Sequence, residues 1–188
     1  MNVEFTRDVR GIEAQFATNY LGPFYLTNLL LHNLRVSAPA RVVNVLSSVH
    51  YAAHTVTFDS ITSKSVYTGL GNYALSKFAL MLFTRDLADR LKTTGVVVNA
   101  CHPGVIATPL YRQTKWAAVL LATPLSWVMP QPIDGASRII EAAIDSRYTD
   151  ITGKYIAERR IWSMNPHVKH DAAARLWNIS VDICGMKI

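Results

Sequence analysis

A tyrosine and a lysine four positions apart, Tyr73 and Lys77 in the segment NYALSK at residues 72–77, are the side chains of this sequence best placed to do chemistry. On a helix this spacing puts both side chains on one face, with their Cβ atoms about 5–6 Å apart. A phenol ionises near pH ~10 and is a poor acid or base at neutral pH, but a neighbouring ammonium favours the phenolate. The pair could therefore move a proton to or from a substrate oxygen.

A pair of serines lies where a predicted buried strand ends. Residues 42–46 are mostly β-branched and apolar, as is typical of a strand covered on both faces, and they lead directly into Ser47 and Ser48. A second run of this kind, residues 96–100, precedes a Pro-Gly turn at 103–104. Open α/β sheets bind ligands beyond the carboxyl ends of their strands, so we expect Ser48 and this turn to border one crevice.

Hydrophobic periodicity and turn residues predict the elements that hold these groups. Strands alternate with helices along the chain, which is typical of parallel βαβ architecture. The other predicted elements are a long helix at about 11–34 with a kink near Pro23, a loop at 50–70, helices at 72–91, 135–144 and 172–179, and a strand at 153–157.

The spacing Y-x-x-x-K occurs by chance on many surface helices, where the alternative is a half-buried tyrosine beside a solvated lysine. The other motifs in the sequence favour a functional role for the tyrosine and the lysine. In order along the chain stand NYLGPF at 19–24, RVVNVLSS at 41–48, YALSK at 73–77 and HPGVIAT at 102–108. This series resembles the short-chain dehydrogenase/reductase family, particularly its retinol-dehydrogenase-like and "member X"-like branch, and the resemblance covers essentially the whole chain.

The resemblance implies four catalytic residues. Ser48 would hydrogen-bond the substrate oxygen, and Tyr73 would act as the acid in reduction and the base in oxidation. Lys77 would lower the pKa of Tyr73 and bind the nicotinamide ribose. The carbonyl of Asn19 would hold a water in the proton relay; Pro23 has no N–H to donate to this carbonyl. The alternative for Asn19 is a packing kink bonded to a neighbouring loop.

The resemblance also implies NAD or NADP as the cofactor. Tyr73 and Lys77 would contact the nicotinamide ribose, while Gly104, Ile106 and Thr108 match the family turn that holds the nicotinamide carboxamide and a nearby phosphate. The choice between NAD and NADP depends on residues that meet the adenosine ribose, for which this sequence has no counterpart.

The family's Gly-rich dinucleotide turn has no match, because the nine glycines are dispersed and none forms the required pattern after an apolar strand. The resemblance therefore implies an α/β fold that is the C-terminal part of a Rossmann-like, doubly wound parallel sheet with flanking helices. Residues 1–188 would form a single partial domain without the N-terminal half that binds the dinucleotide phosphates. We expect these residues alone to bind the cofactor weakly and to have little dehydrogenase activity.

Composition excludes several other classes of function. The net charge is +6, but the basic residues are scattered and form no stripe with aromatic residues, so no nucleic-acid partner is expected. The two cysteines, Cys101 and Cys184, have no metal-ligand spacing and suit a reducing compartment, cytoplasmic or membrane-associated. No metal site is expected. The N-terminus has no apolar signal core, and the most apolar stretch, 116–129, is too short to cross a bilayer.

Residues 110–129 are rich in apolar and aromatic side chains and occupy the position of the family's variable substrate lid. Such a lid favours a lipophilic alcohol or carbonyl, for example a retinoid, steroid or polyprenyl compound; core packing and peripheral membrane contact are the alternatives. A different hypothesis for the chain is a catalytically inactive fragment that serves as an interaction protein, with its two long helices forming a homo-oligomer face.

Overall fold

The computed structural model describes residues 3–106 and 131–187. Its sheet has the strand order β1-β2-β3-β4, and the first three strands are parallel while β4 runs antiparallel to β3. The predicted α/β class with a parallel sheet is confirmed. The strands are β1 (Ala40–Val45), β2 (Val96–His102), β3 (Tyr155–Ala157) and β4 (Arg160–Trp162).

The helices lie largely where periodicity predicted them. The expected long helix at 11–34 is a nearly continuous helical region with a π turn, Ala17–Leu21, in which the Gly22 N–H bonds the Ala17 carbonyl. Such a widened turn is one way in which a helix accommodates a residue without an N–H, here Pro23. The α-helices are α1 (Ala14–Phe16), α2 (Gly22–Leu29), α3 (Leu31–Val36), α4 (Phe58–Thr62), α5 (Gly69–Arg90), α6 (Pro132–Ile144) and α7 (His170–Cys184).

Two predictions about the connections were wrong. The region 50–70 is not a plain loop: it contains 3₁₀ turns at Ser48–Ala52 and Lys64–Val66 and the helix α4, which starts with a capping box between Thr57 and Ser60. Strand β4 was not predicted, because a tight turn with positive φ at Glu158 and Arg159 forms it. Such hairpin turns usually carry Asn or Gly, so the sequence lacks the customary signal.

Helix α5 is the centre of the core. It packs against β1, β2 and α7, and Phe78, Met81 and Leu87 on it have no exposed surface. The other face of the sheet is covered by α6, where Ala142 and Tyr148 cluster with Cys101 and Ile156. Because α5 is buried along most of its length, side chains near its N-terminal end are held rigidly against the carboxyl ends of the strands.

Strand β1 forms an edge of the sheet in the described part of the chain, and apolar side chains are exposed on it and beside it, including Val45 (38% exposed) and Ile144. An exposed apolar edge invites pairing with another chain.

We therefore expect the 188-residue chain to form oligomers. The variant Val45→Lys should shift the chain towards monomer, whereas the control Ile179→Lys on α7 should leave the distribution of oligomers unchanged. Light scattering across a concentration series measures this; a wild-type chain that stays monomeric would contradict it.

Candidate active site

Tyr73 and Lys77 lie in the first turns of α5, which begins with the Thr68 hydroxyl accepting a hydrogen bond from the Gly71 N–H. The Tyr73 side chain is buried, and the Lys77 Nζ lies 5.8 Å from the centre of its ring. The ammonium donates to the Val45 carbonyl at 3.0 Å. Burial lowers the pKa of Lys77, because desolvation disfavours its charged form. Lys77 is therefore half-buried rather than fully solvated.

Asn19 lies inside the π turn and against the same stretch of α5. Its side-chain amide donates to the Ser76 hydroxyl at 3.1 Å, and that hydroxyl donates to the Tyr73 carbonyl at 2.8 Å. The structure thus brings Asn19 to the segment that carries Tyr73 and Lys77; the part of its carbonyl in a proton relay stays a prediction. Ser76 is fully buried and was not singled out in the sequence, although it lies between Tyr73 and Lys77.

The two serines after β1 have different surroundings. The Ser47 hydroxyl caps the following 3₁₀ turn by accepting from the Val49 N–H. Ser48 is exposed and lines a cavity of about 410 Å³. The cavity also exposes polar groups from other elements, namely those of His102, Arg138 and Glu158, and its aromatic walls are Tyr51, Tyr155 and Trp162. Its volume lies in the ordinary range for a small-molecule site.

The turn after β2 borders the same cavity, as expected from the strand order. Gly104 has φ +101°, a conformation that favours glycine, and it lines the cavity with Ser48. Ile106 is buried against Gly135 of α6. Ser48 and Gly104 are therefore brought together from separate strands. Thr108 and the apolar segment 110–129 lie outside the described residues.

Several cavity residues were not predicted from the sequence, among them His102 and Arg138. His102 lines the cavity, and burial lowers the pKa of its imidazole. Arg138 reaches the cavity from α6 and donates from Nη1 to the Pro103 carbonyl at 2.8 Å. No local sequence signal marks Arg138, because its partner lies on another element 35 residues away.

The described residues contain no group of three or more His, Cys, Asp or Glu side chains that could hold a metal ion. None of the helices in the described ranges is both long and apolar enough to cross a membrane.

The phenol of Tyr73 and the ammonium of Lys77 lie together on α5, whereas the described lining of the cavity includes Ser48 and Gly104 but neither of these two residues. The family described as short chain dehydrogenase matches residues 2–117, and the chain belongs to this family of oxidoreductases. It is 36% identical to retinol dehydrogenase 12 of Homo sapiens and 38% identical to retinol dehydrogenase 14 of Mus musculus, with 100% and 97% of the chain aligned. The chain spans 59% and 55% of the lengths of these relatives.

Solved structures agree with this fold. An uncharacterised protein from Mycobacterium Paratuberculosis superposes with a TM-score of 0.74 at 26% identity, covering 100% of this chain and 64% of that one. A 4-hydroxyisoleucine dehydrogenase complexed with NADH superposes with a TM-score of 0.53 at 22% identity, covering 76% of this chain and 55% of that one; it supports the fold alone.

Proposed function

We propose that this chain carries the catalytic residues of an NAD(P)-dependent short-chain dehydrogenase/reductase that interconverts a lipophilic alcohol and the corresponding carbonyl compound. The observation that carries the proposal is the buried Tyr73 with the Lys77 ammonium 5.8 Å from the centre of its ring; Ser48 is exposed in a cavity with the Gly104 turn. The relatives named retinol dehydrogenases support a retinoid-like substrate. The activity belongs to a protein that joins these residues to a half that binds the dinucleotide phosphates.

The nicotinamide cofactor supplies the hydride when bound. In carbonyl reduction Ser48 would donate a hydrogen bond to the substrate oxygen, and Tyr73 would give its hydroxyl proton to that oxygen. In alcohol oxidation the Tyr73 phenolate takes the proton back. Lys77 places a positive charge beside the Tyr73 ring, which favours the phenolate. Asn19, linked through Ser76 to the Tyr73 backbone, would position a water that reprotonates the site.

The described residues fit a nicotinamide nucleotide. The Lys77 ammonium donates a hydrogen bond to the Val45 carbonyl, and it could donate in the same way to a ribose hydroxyl oxygen. Gly104 has a positive φ that favours glycine, and the space a Cβ would fill there is occupied by the Arg138 guanidinium. Tyr73 and Lys77 would hold the ribose, while Gly104, Ile106 and Thr108 would hold the carboxamide side. The cofactor is NAD or NADP, and the 188 residues alone are expected to bind it weakly.

Ser48 and Ser47 provide a matched test of the substrate contact. We expect Ser48→Ala to lower turnover by about 10²-fold, because it removes a hydrogen-bond donor aimed at the oxygen on which charge develops. Ser47→Ala should leave turnover nearly unchanged and instead lower the free energy of unfolding by about 1 kcal/mol through loss of a cap. Steady-state oxidation of NAD(P)H with retinal, together with thermal unfolding, measures both effects. The reverse pattern would assign the substrate contact to Ser47.

A further inference from the structure

We infer that Arg138 makes this site bind the reduced, uncharged nicotinamide more tightly than the oxidised, positively charged one, and so shifts the equilibrium of the bound cofactor towards its reduced form. The inference deepens the proposed function and rests on it, because the proposed function places the Gly104 turn against the nicotinamide.

The Arg138 guanidinium lies directly on that turn. Its Nη1 donates to the Pro103 carbonyl at 2.8 Å, and a Cβ built on Gly104 would lie 2.1 Å from the same nitrogen. Gly135 lies one turn earlier on α6 and packs against Ile106. A Cβ added to Gly135 would lie only 1.9 Å from the Ile106 Cδ1, so the glycine leaves the space that this side chain fills. One face of α6 therefore clamps the turn from Pro103 to Ile106. Arg138 also lines the cavity that contains the Ser48 hydroxyl.

The charge of Arg138 is not neutralised within the described part of the chain, where no carboxylate lies within ion-pair distance of it. Glu141, one turn further along α6, pairs instead with Arg147 and Arg159. Glu158 also lines the cavity, but it is exposed to water while Arg138 is half-buried and in contact with the turn. Water screens an exposed charge more strongly than a half-buried one, so the cation dominates at the turn.

The two redox forms of the cofactor differ in the charge of the nicotinamide ring, which is +1 when oxidised and zero when reduced. A fixed cation beside the ring therefore weakens binding of the oxidised form and leaves the reduced form nearly unaffected. By thermodynamic linkage, the ratio of the two affinities shifts the redox equilibrium of the bound cofactor by the same factor. A residue that only held the turn in shape would change both affinities together.

The test measures the dissociation constants of oxidised and reduced nicotinamide mononucleotide for the 188-residue chain. Saturation-transfer NMR on the nicotinamide protons suits weak binding of both forms. We expect Arg138→Gln to lower the ratio of the oxidised to the reduced dissociation constant by about three- to tenfold, the size expected for one unit charge near a partly solvated site. Arg138→Lys should retain the wild-type ratio. The control Arg175→Gln, an exposed residue on α7 paired with Asp171, should also retain it.

Glu158→Gln gives an independent test of opposite sign, because it removes an anion from the same cavity and should raise the ratio. This variant keeps the proposal falsifiable if Arg138→Gln unfolds. Equal changes in both dissociation constants, or an unchanged ratio in folded Arg138→Gln and Glu158→Gln, would overturn the inference and leave the proposed function intact. If the wild-type chain binds neither form, the placement of the nicotinamide against the Gly104 turn fails and the inference fails with it, whereas the proposed function is tested separately by the turnover of Tyr73→Phe.

Discussion

Replacing Tyr73 with phenylalanine is expected to lower turnover by about 10²–10⁴-fold, the usual contribution of general acid–base catalysis. The substitution removes only the hydroxyl that transfers the proton, and the ring keeps its buried packing on α5. The free energy of unfolding should fall by no more than about 1.5 kcal/mol, the size of one hydrogen bond. The measurement is steady-state oxidation of NAD(P)H with retinal and steroid carbonyls by a protein that includes the dinucleotide-phosphate half, together with thermal unfolding.

Tyr148→Phe is the matched control for this experiment. Tyr148 is also buried, and its hydroxyl donates to the Arg159 carbonyl at 3.0 Å, so the same atom is removed from a comparable environment outside the proposed site. Turnover should stay close to that of the wild type. If Tyr73→Phe also retained near-normal turnover, Tyr73 would not be the proton-transfer group, and the roles inferred from the motif series would have to be abandoned.

Lys77→Met is expected to have the second large effect, a loss of turnover accompanied by a displaced pH profile. Methionine keeps an unbranched apolar chain but removes the charge beside the Tyr73 ring. Alcohol oxidation requires Tyr73 to be deprotonated, and the Lys77 cation favours that state. Without the cation, the rise of the oxidation rate with pH should move to higher pH, and the affinity for the cofactor should fall because the ribose loses a donor.

Lys92→Met serves as the control for charge, since Lys92 is exposed after the end of α5 and pairs with Asp89 at 2.7 Å. Its pH profile should coincide with that of the wild type. A Lys77→Met protein with an unshifted profile and normal cofactor affinity would show that Lys77 is structural, holding the Val45 carbonyl at the end of β1.

The features that could be predicted from the sequence depend on short-range patterns. The β-branched runs predicted β1 and β2, and the helical spacing placed Tyr73 and Lys77 on one face of α5. Gly95, with φ +74°, follows the end of that helix, and a glycine at this place is a common helix stop signal in a sequence. Residues three or four positions apart on a helix are neighbours on its surface, so the pairing of Tyr73 with Lys77 could be predicted without knowledge of the tertiary structure.

The features that could not be predicted depend on contacts between distant segments. Asn19 meets Ser76 across 57 residues, and Arg138 meets the Pro103 carbonyl across 35. Neither contact has a local signal, because it is created by packing α6 and the π turn against the rest of the fold. His102 was not predicted as a site residue, because a single histidine at a strand end does not reveal that a cavity forms beside it.

The central claim is that this chain holds the nicotinamide end of a dinucleotide at Tyr73 and Lys77, and saturation-transfer NMR with NADH and NADPH tests it most directly. Titration of the 188-residue chain should give saturable signals from the nicotinamide protons for at least one of the two, with affinity that falls in Lys77→Met and stays unchanged in Lys92→Met. An absence of saturable nicotinamide signals with the folded wild-type chain, or equal affinities in the wild type and Lys77→Met, would contradict the account.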